Sequence, residues 1–477
     1  MEQPSGEWSP GDSALEVESL VSRSCPVEDV SLGAFLDAIP EPTETHVSWA
    51  SPTGLEVAAC GTAAKLSAEG NDRFGGIERQ ADAVFESLIH DGPRVARPRA
   101  FGGFSFHVPR DRAFGQLADE PTTAAEPSAN GQATGVSVID SRDPWRGFDA
   151  ATFVVPRVQV TRTDDGPWLT VVTGDDETTA ETGLERLRET IEGLPTLRPA
   201  GSPPGVVDTE RTADRRAWTE RVKRSLELID GGRLEKVVLA QALIATLEAD
   251  VSVTQLQERL RRRYPNCFRF VLDLGTDRTF FGAPPERLVK KRGDTLTTEA
   301  LAGSVPRGDS PEPDDEHLEH LFGSERLNRE HEFVLEAIRT QLEALADDVH
   351  VADRTVRQLA TIQHLRTPLS ADVDHGRHVL SFVEALHPTP AVGGVPQRAA
   401  CDAIRTLERF DRGWYAGPIG WFDADGDGEF AVAIRSGVAA DRSVTLFAGN
   451  GIVADSDPDT EWNEVTLKLR AILDELG

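Results

Sequence analysis

The stretch from Phe447 to Lys468 constrains the fold most strongly, because it predicts a strand that leads within a few residues into a helix. The Gly-x-Gly sequence at residues 449–451 predicts a tight turn at the end of the strand. Ser456 or Asp457 can cap the helix, since either side chain accepts hydrogen bonds from free helical N–H groups. Glycines also let backbone N–H groups approach an anionic ligand closely. The stretch therefore predicts a strand–helix unit that can bind an anion.

The predicted helix places Glu461, Glu464 and Lys468 on one face, because they are spaced three and four residues apart. Two carboxylates that face one way could bind a hard cation such as Mg²⁺, which takes oxygen ligands and keeps several waters. The alternative is a solvated charged face on a surface helix, which is what charged helix faces usually are.

Hairpin signals rather than alternating strands and helices characterise the rest of the chain. Apolar runs at 153–160 and 168–173 flank the turn sequence Asp-Asp-Gly-Pro. Residues 112–146 lack an apolar period and predict a long insertion, and the Pro- and Gly-containing residues 195–212 predict a linker. The pattern favours an α+β fold with antiparallel sheets over a Rossmann-type parallel sheet.

The composition excludes several kinds of partner. The net charge of −30 argues against nucleic acid, whose binding needs a basic patch. Only six of the 50 basic residues are lysine, and an acidic, lysine-poor surface suits a salty cytoplasm, where salt screens self-repulsion. The four cysteines are far apart, which predicts neither a zinc site nor disulfides and fits a reducing cytoplasm. No apolar run approaches the roughly 18 residues of a membrane span, and no secretory signal is evident.

Three charged residues stand out by their positions. Lys236 heads an apolar strand, and a lysine kept in an arginine-rich chain suggests an amine that must lose its proton. It could also be a strand-end residue that reaches water. Arg435 ends an apolar strand and suits bidentate capture of a carboxylate, or else pairs with a surface acid. Glu286 lies in a Pro-rich loop, where a glutamate is usually solvated.

Several motifs resemble those of the chorismate-utilising enzymes, in family order, over roughly residues 213 to 473. The C-terminal stretch is similar to the pattern A-G-x-G-I-V-x-x-S-x-P-x-x-E-W-x-E-x-x-x-K. Residues 281–288 resemble F-x-G-x-S-P-E-x-L, although Pro284 replaces the serine. Residues 301–308 resemble L-A-G-T-x-x-R-G. Residues 326–331 resemble K-x-x-x-E-H, with Arg326 or Arg329 supplying the basic charge of the lysine.

The resemblance implies roles for individual residues. Lys236 would be the base that activates water and Glu286 the general acid. Glu330 and Glu464 would bind Mg²⁺, with Glu461 as an indirect or water-mediated partner. The residues expected to contact substrate are Ala302, Gly303, Ser304, His387, Thr389, Arg435, Gly449, Gly451 and Lys468.

The resemblance also narrows the activity. Anthranilate synthases usually carry Gln where this chain has Lys236, and aminodeoxychorismate synthases commonly carry a nucleophilic Lys where it has Ala302. We therefore expect isochorismate synthase activity, feeding menaquinone biosynthesis. Salicylate synthase, which adds pyruvate elimination, is the first alternative. A catalytically silent, chorismate-binding relative is the second, although Lys236 and Glu286 argue against it.

The resemblance further implies two large antiparallel sheets packed face to face with helices outside. Residues 1–205 would be a variable N-terminal part that completes this fold, and residues 213–473 the chorismate-binding catalytic region. We expect chorismate and Mg²⁺ as small partners, no nucleic acid or membrane, and a monomer or weak dimer.

Overall fold

The computed structural model describes residues 19–39, 45–52, 54–107, 143–164, 166–174, 177–306, 311–358 and 362–477. These residues form 21 strands and ten α-helices. The insertion predicted at 112–146 lies outside the described residues except for its last four positions. No described helix combines the length and the apolar character needed to cross a membrane.

The strands, in chain order, are β1 (Val21–Pro26), β2 (His46–Ala50), β3 (Glu56–Ala68), β4 (Ile89–Asp91), β5 (Arg99–Phe104), β6 (Ala151–Thr163), β7 (Gly166–Thr173), β8 (Val206–Arg211), β9 (Lys236–Leu247), β10 (Arg269–Asp273), β11 (Thr279–Gly282), β12 (Arg287–Arg292), β13 (Thr295–Pro306), β14 (Asp348–Val351), β15 (Thr355–Gln358), β16 (Ile362–Asp372), β17 (Gly394–Val395), β18 (Pro418–Asp423), β19 (Gly428–Val432), β20 (Ser436–Ala440) and β21 (Ser443–Ile452).

The helices are α1 (Leu32–Ala38), α2 (Arg73–Glu86), α3 (Glu177–Ile191), α4 (Arg215–Asp230), α5 (Val253–Arg263), α6 (Pro311–Gly323), α7 (Glu325–Glu343), α8 (Val379–Leu386), α9 (Gln397–Leu407) and α10 (Pro458–Leu473), with a short 3₁₀ turn at Arg94–Ala96.

The strands form two antiparallel sheets that share the long strand β6, which pairs with β3 along nearly its whole length. The first sheet runs β9–β21–β20–β11–β10–β2–β3–β6–β7–β1, and the second runs β6–β5–β18–β19–β12–β13–β16. One half of β6 pairs with β7 and the other half with β5, so β6 belongs to both sheets. The β1–β4 pair is parallel. This arrangement matches the predicted antiparallel α+β architecture, with the two sheets continuous at one corner.

Strands from both parts of the chain alternate within these sheets. β2 from the N-terminal part pairs with β10, and β5 pairs with β18. The linker predicted at 195–212 contains β8, which pairs with β9. Side chains of β8 are mostly exposed, so its sequence lacks the apolar alternation that would have indicated a strand.

The turn predicted at residues 449–451 is wrong, because β21 continues through both glycines. Gly449 lies opposite Ala240 and Gly451 opposite Val238 in the antiparallel pair with β9. A Cβ atom at Gly449 would lie 2.7 Å from the Leu239 carbonyl oxygen, so glycine permits close strand approach here and does not make a turn. The helix that follows begins as predicted, since the side chain of Asp457 accepts hydrogen bonds from two N–H groups of the first turn.

Candidate active site

A cavity of about 140 Å³ lies between the two sheets, beside the ends of β9, β13 and β21 and the helices α7 and α10. It brings together most of the residues predicted from sequence. Those that line it are Lys236, Glu286, Ala302, Gly303, Glu330, Arg435, Gly449, Gly451, Glu461, Glu464 and Lys468.

Lys236, the first residue of β9, is 2 % exposed and reaches the cavity wall. Its Nζ donates to Glu330 Oε1 on α7 over 3.0 Å. Two glycines make this pair possible. A Cβ at Gly451 would lie 2.7 Å from Lys236 Cε, and a Cβ at Gly303 would lie 3.1 Å from the Leu327 carbonyl oxygen of α7. Gly303 also has a φ of 74° at a bulge in β13, which favours glycine.

We expect Gly451→Ala to fold normally and to lower kcat by about 10²-fold, since a displacement of about 1 Å in a catalytic group costs this much. The new methyl group would displace the end of the Lys236 side chain, which can move without disturbing the backbone. The measurement is kcat together with the melting temperature. Gly193→Ala, in the turn after α3 with open space around it and no positive φ, is the control for a harmless added methyl in folding assays. An unchanged kcat in folded Gly451→Ala would contradict the expectation.

Glu286 lies between β11 and β12 and is 6 % exposed. Burial, reinforced by the nearby Glu299 carboxylate, raises the pKa of Glu286 to about 8. Lys236, Arg357 and the hydroxyl of Thr389 oppose this shift without cancelling it. At neutral pH Glu286 therefore holds a proton that it can donate.

Glu299 on β13 is 3 % exposed, and the negative charge of its carboxylate raises the pKa of Glu286. Its carboxylate accepts from Arg357 Nη1 over 2.7 Å and from Arg366 Nε over 2.5 Å. These two arginines compensate the buried charge. Sequence reasoning did not identify this group, because its residues come from three strands, β13, β15 and β16, and meet only in the fold.

We expect Glu299→Gln to move the alkaline limb of the kcat–pH profile to lower pH. Removing the negative charge leaves Lys236 and Arg357 to act on Glu286, so the pKa of Glu286 falls and the acid loses its proton earlier. The measurement is kcat between pH 5 and about 10. Asp427→Asn, which removes an equally buried carboxylate paired with Lys291 outside the cavity, should leave the limb in place.

Two cationic side chains can hold an anionic ligand in this cavity. Arg435 has a φ of 49°, and no carboxylate of the described residues lies within ion-pair distance of its guanidinium. Its described neighbours are the thiol of Cys267, 4.0 Å from Nη1, and the ring of Tyr264. Lys468 donates to the Gly449 carbonyl oxygen over 3.0 Å and pairs with Glu464 over 2.9 Å. The reading of Arg435 as the partner of a surface acid is therefore not supported.

The acids predicted to bind metal line the same cavity, each beside a protein partner. Glu330 pairs with Lys236, Glu464 pairs with Lys468, and Glu461 Oε2 accepts from Asn450 over 3.1 Å. Glu461 is 4 % exposed, and this burial raises its pKa. Two or three carboxylates with waters and a ligand carboxylate form a donor set that suits Mg²⁺.

A second acidic group, in the turn between β18 and β19, fits a structural role better. The carboxylates of Asp423, Asp425 and Asp427 lie within 4.8 Å of one another. Asp427 pairs with Lys291 over 3.1 Å and with Arg94 over 3.0 Å, and Asp425 also pairs with Arg94. These cations neutralise much of the charge, in keeping with an acidic hairpin turn.

Two predicted substrate contacts, His387 and Thr389, are not among the residues that line the cavity. His387 Nε2 lies 3.0 Å from the Phe106 carbonyl oxygen, and burial lowers its pKa to about 3. Thr389 is buried beside Glu286, and its hydroxyl opposes the rise in the pKa of that carboxyl. Ser304 lies on β13 opposite His364 of β16.

His364 of β16 also lines the cavity. Burial, then the charge of Arg435, holds its pKa well below the usual value, so the ring is neutral. Several other residues line the cavity that the sequence analysis did not identify. Among them are Leu301, Arg326, Ala391, Val392 and Tyr415. Arg326 was recognisable, since it occupies the first position of the K-x-x-x-E-H pattern.

The family model described as chorismate binding enzyme matches residues 11–120 and 117–477. The chain therefore belongs to the family of chorismate binding enzymes. The salicylate biosynthesis isochorismate synthase of Pseudomonas aeruginosa is 33% identical over 476 residues, which cover 97% of this chain and 91% of that protein. The isochorismate synthase MenF of Bacillus subtilis is 35% identical over 70% of this chain and 71% of that protein.

Two solved structures show the same fold. MenF, the menaquinone-specific isochorismate synthase from Escherichia coli, has a TM-score of 0.77 at 23% identity, covering 97% of this chain and 95% of that one. Anthranilate synthase component I from Streptococcus pneumoniae has a TM-score of 0.70 at 20% identity, covering 89% and 93%. The predicted α+β fold of the chorismate-utilising enzymes and the prediction of an enzyme of this family are confirmed.

Proposed function

We propose that this protein is an isochorismate synthase, which isomerises chorismate to isochorismate. The observation that carries the proposal is a buried cavity in which Lys236 and a protonated Glu286 both reach the wall. The reaction needs one base and one acid, and the relatives named as isochorismate synthases support this choice among family activities.

The isomerisation adds water at one ring carbon and expels hydroxyl from another while the double bonds shift, so no atoms are gained or lost. Lys236, in its neutral form, takes a proton from the water that attacks. Glu286 donates its proton to the departing hydroxyl, which leaves as water. Arg435 binds a substrate carboxylate, and its lack of a carboxylate partner among the described residues supports this role.

Mg²⁺ is proposed to bind to Glu330 and Glu464, with Glu461 acting through water. When bound, the ion would supply positive charge that stabilises negative charge on the substrate. Lys236 and Lys468 now partner these two acids, so both pairs must rearrange when the acids bind metal.

Menaquinone biosynthesis is the proposed pathway, because MenF of Bacillus subtilis is 35% identical to this chain. The acidic, lysine-poor composition leads us to propose a cytoplasm rich in salt. Salicylate synthase remains the second candidate function, since pyruvate elimination would follow from the same bound intermediate in the same cavity.

The test is a product assay with purified protein, chorismate and Mg²⁺ in molar KCl, analysed by chromatography with and without ammonia. Isochorismate alone is the expected result. Salicylate with pyruvate would support the second candidate, and anthranilate formed with ammonia would overturn the role given to Lys236. Bound chorismate without any product would identify a catalytically silent relative.

A further inference from the structure

One edge of β9 lacks a strand partner over residues 238–242, just after Lys236. β17 pairs with Lys236 and Val237, and β8 pairs with β9 only from Leu243 onward. The Val238 N–H donates to the Gly393 carbonyl oxygen, and two further backbone groups in the gap bond to charged side chains. Arg412 Nη2 donates to the Val238 carbonyl oxygen over 2.8 Å, and Glu408 Oε1 accepts from the Ala240 N–H over 2.7 Å.

Arg412 and Glu408 form a bidentate ion pair that is almost completely buried. Arg412 Nε donates to Glu408 Oε2 over 2.8 Å and Nη2 to Oε1 over 2.6 Å, with side chains 1% and 2% exposed. The remaining guanidinium nitrogen, Nη1, donates to the Val392 carbonyl oxygen over 2.9 Å. The guanidinium also lies over the ring of Phe106, 4.3 Å from its centroid.

The pair therefore connects two walls of the cavity. The β9 wall carries Lys236 and Val238, and the loop at residues 388–396 contributes Ala391 and Val392. The same loop carries Thr389, which acts on the Glu286 carboxyl. The Arg412 guanidinium, with its fixed and planar set of donors, therefore holds both Val238, near the base Lys236, and Val392, in the loop that also carries Thr389 beside the acid Glu286.

We infer that Arg412 and Glu408 are positioning residues, which fix the Lys236 strand and the 388–396 loop relative to each other for catalysis. The inference rests on the proposed function. A purely structural role would need only satisfied backbone groups, which a further strand residue could supply without two buried charges. The bidentate pair adds a fixed distance and angle between the walls.

The test uses two conservative variants, Arg412→Lys and Glu408→Asp, each of which keeps the pair neutral. Lysine cannot reach both carbonyl oxygens and the carboxylate, and aspartate is too short to accept from Ala240. We expect kcat to fall by about 10²-fold, because the base is displaced by about 1 Å, while KM changes less than about threefold. KM should stay near the wild-type value, because the proposed substrate-binding residues Arg435 and Lys468 have other partners than this ion pair.

Hydrogen exchange provides a readout that does not depend on activity. Peptides covering residues 236–242 and 388–396 should exchange faster in both variants, while the paired strands β3 and β6 keep their wild-type protection. A general loss of fold would accelerate exchange in all three. The matched control is Arg259→Lys, because Arg259 is also buried and donates to two backbone carbonyl oxygens, those of Ala200 and Glu475, outside the cavity. Its kcat should be unchanged.

The outcomes separate this inference from the proposed function. Wild-type protein that forms no isochorismate would overturn the proposed function, and unchanged exchange at 236–242 and 388–396 in the variants would overturn the positioning role. A kcat within about twofold of wild type in either folded variant would also overturn it. If Arg412→Lys does not fold, Glu408→Asp decides by the same two measurements.

Discussion

Replacing Lys236 with methionine is expected to lower kcat by about 10²- to 10⁴-fold, the usual contribution of a positioned general base. Lys236 is buried at the head of β9, and its Nζ is the amine that reaches the cavity beside Glu286. Methionine fills nearly the same space, so the strand should remain in place. Chorismate affinity should change little, because Arg435 and Lys468 are untouched.

The measurements for Lys236→Met are kcat from isochorismate formation and chorismate affinity from calorimetry. Lys65→Met is the control, since Lys65 is exposed on β3 and far from the cavity lining. Glu330 loses its ion-pair partner in the first variant, so Lys236→Gln, which can still donate to Glu330, separates that effect from loss of the base. Turnover by both variants near the wild-type rate would rule out Lys236 as the base.

The sequence predicted the chemistry of this site better than its shape. Lys236 and Glu330 are 94 residues apart, yet both were identified because each occupies a motif position. The side chains of Lys236 and Glu330 can meet because α7, β9 and β21 pack closely together. Gly303 and Gly451 permit this packing, since a side chain at either position would be too close to a neighbour. The same glycine pattern led to the wrong turn at 449–451, because glycine serves a tight turn and a close strand contact equally well.

Residues that act through others were the hardest to predict. Glu299 and Glu408 are ordinary glutamates in the sequence. The arginines that pair with Glu299 are 58 and 67 residues away, and Glu408, although it lies four residues before Arg412, acquires its role only where it meets β9. β8 was missed for a different reason, since its side chains are exposed and only its backbone pairs with β9. Local patterns report which face of an element is apolar, but they do not report which distant charge lies against a buried carboxylate.

Replacing Glu286 with glutamine is expected to lower kcat by about 10²- to 10⁴-fold, because an amide cannot protonate the departing hydroxyl. In the wild type, kcat should fall as pH rises through about 8, the pKa to which burial and Glu299 raise this carboxyl. The direction follows from the acid role, since the active form carries the proton and is lost above the pKa. A kcat–pH profile flat to pH 10 would contradict this assignment.

Glu286→Gln should also make the folded protein more stable at pH 8, which distinguishes loss of the acid from loss of the fold. Between the ordinary pKa of 4.5 and about 8, the folded chain binds this proton and the unfolded chain does not. Stability in the wild type therefore falls with rising pH across that range, and glutamine removes the effect, which is on the order of 5 kcal/mol across the whole range. Denaturant unfolding of both proteins at pH 5 and pH 8 measures it.

Asp423→Asn, at a buried carboxyl outside the cavity whose pKa burial also raises, is the control that should gain stability while keeping kcat. Lower activity in Glu286→Gln together with lower stability at pH 8 would mean that the carboxyl supports the fold and is not held there as an acid.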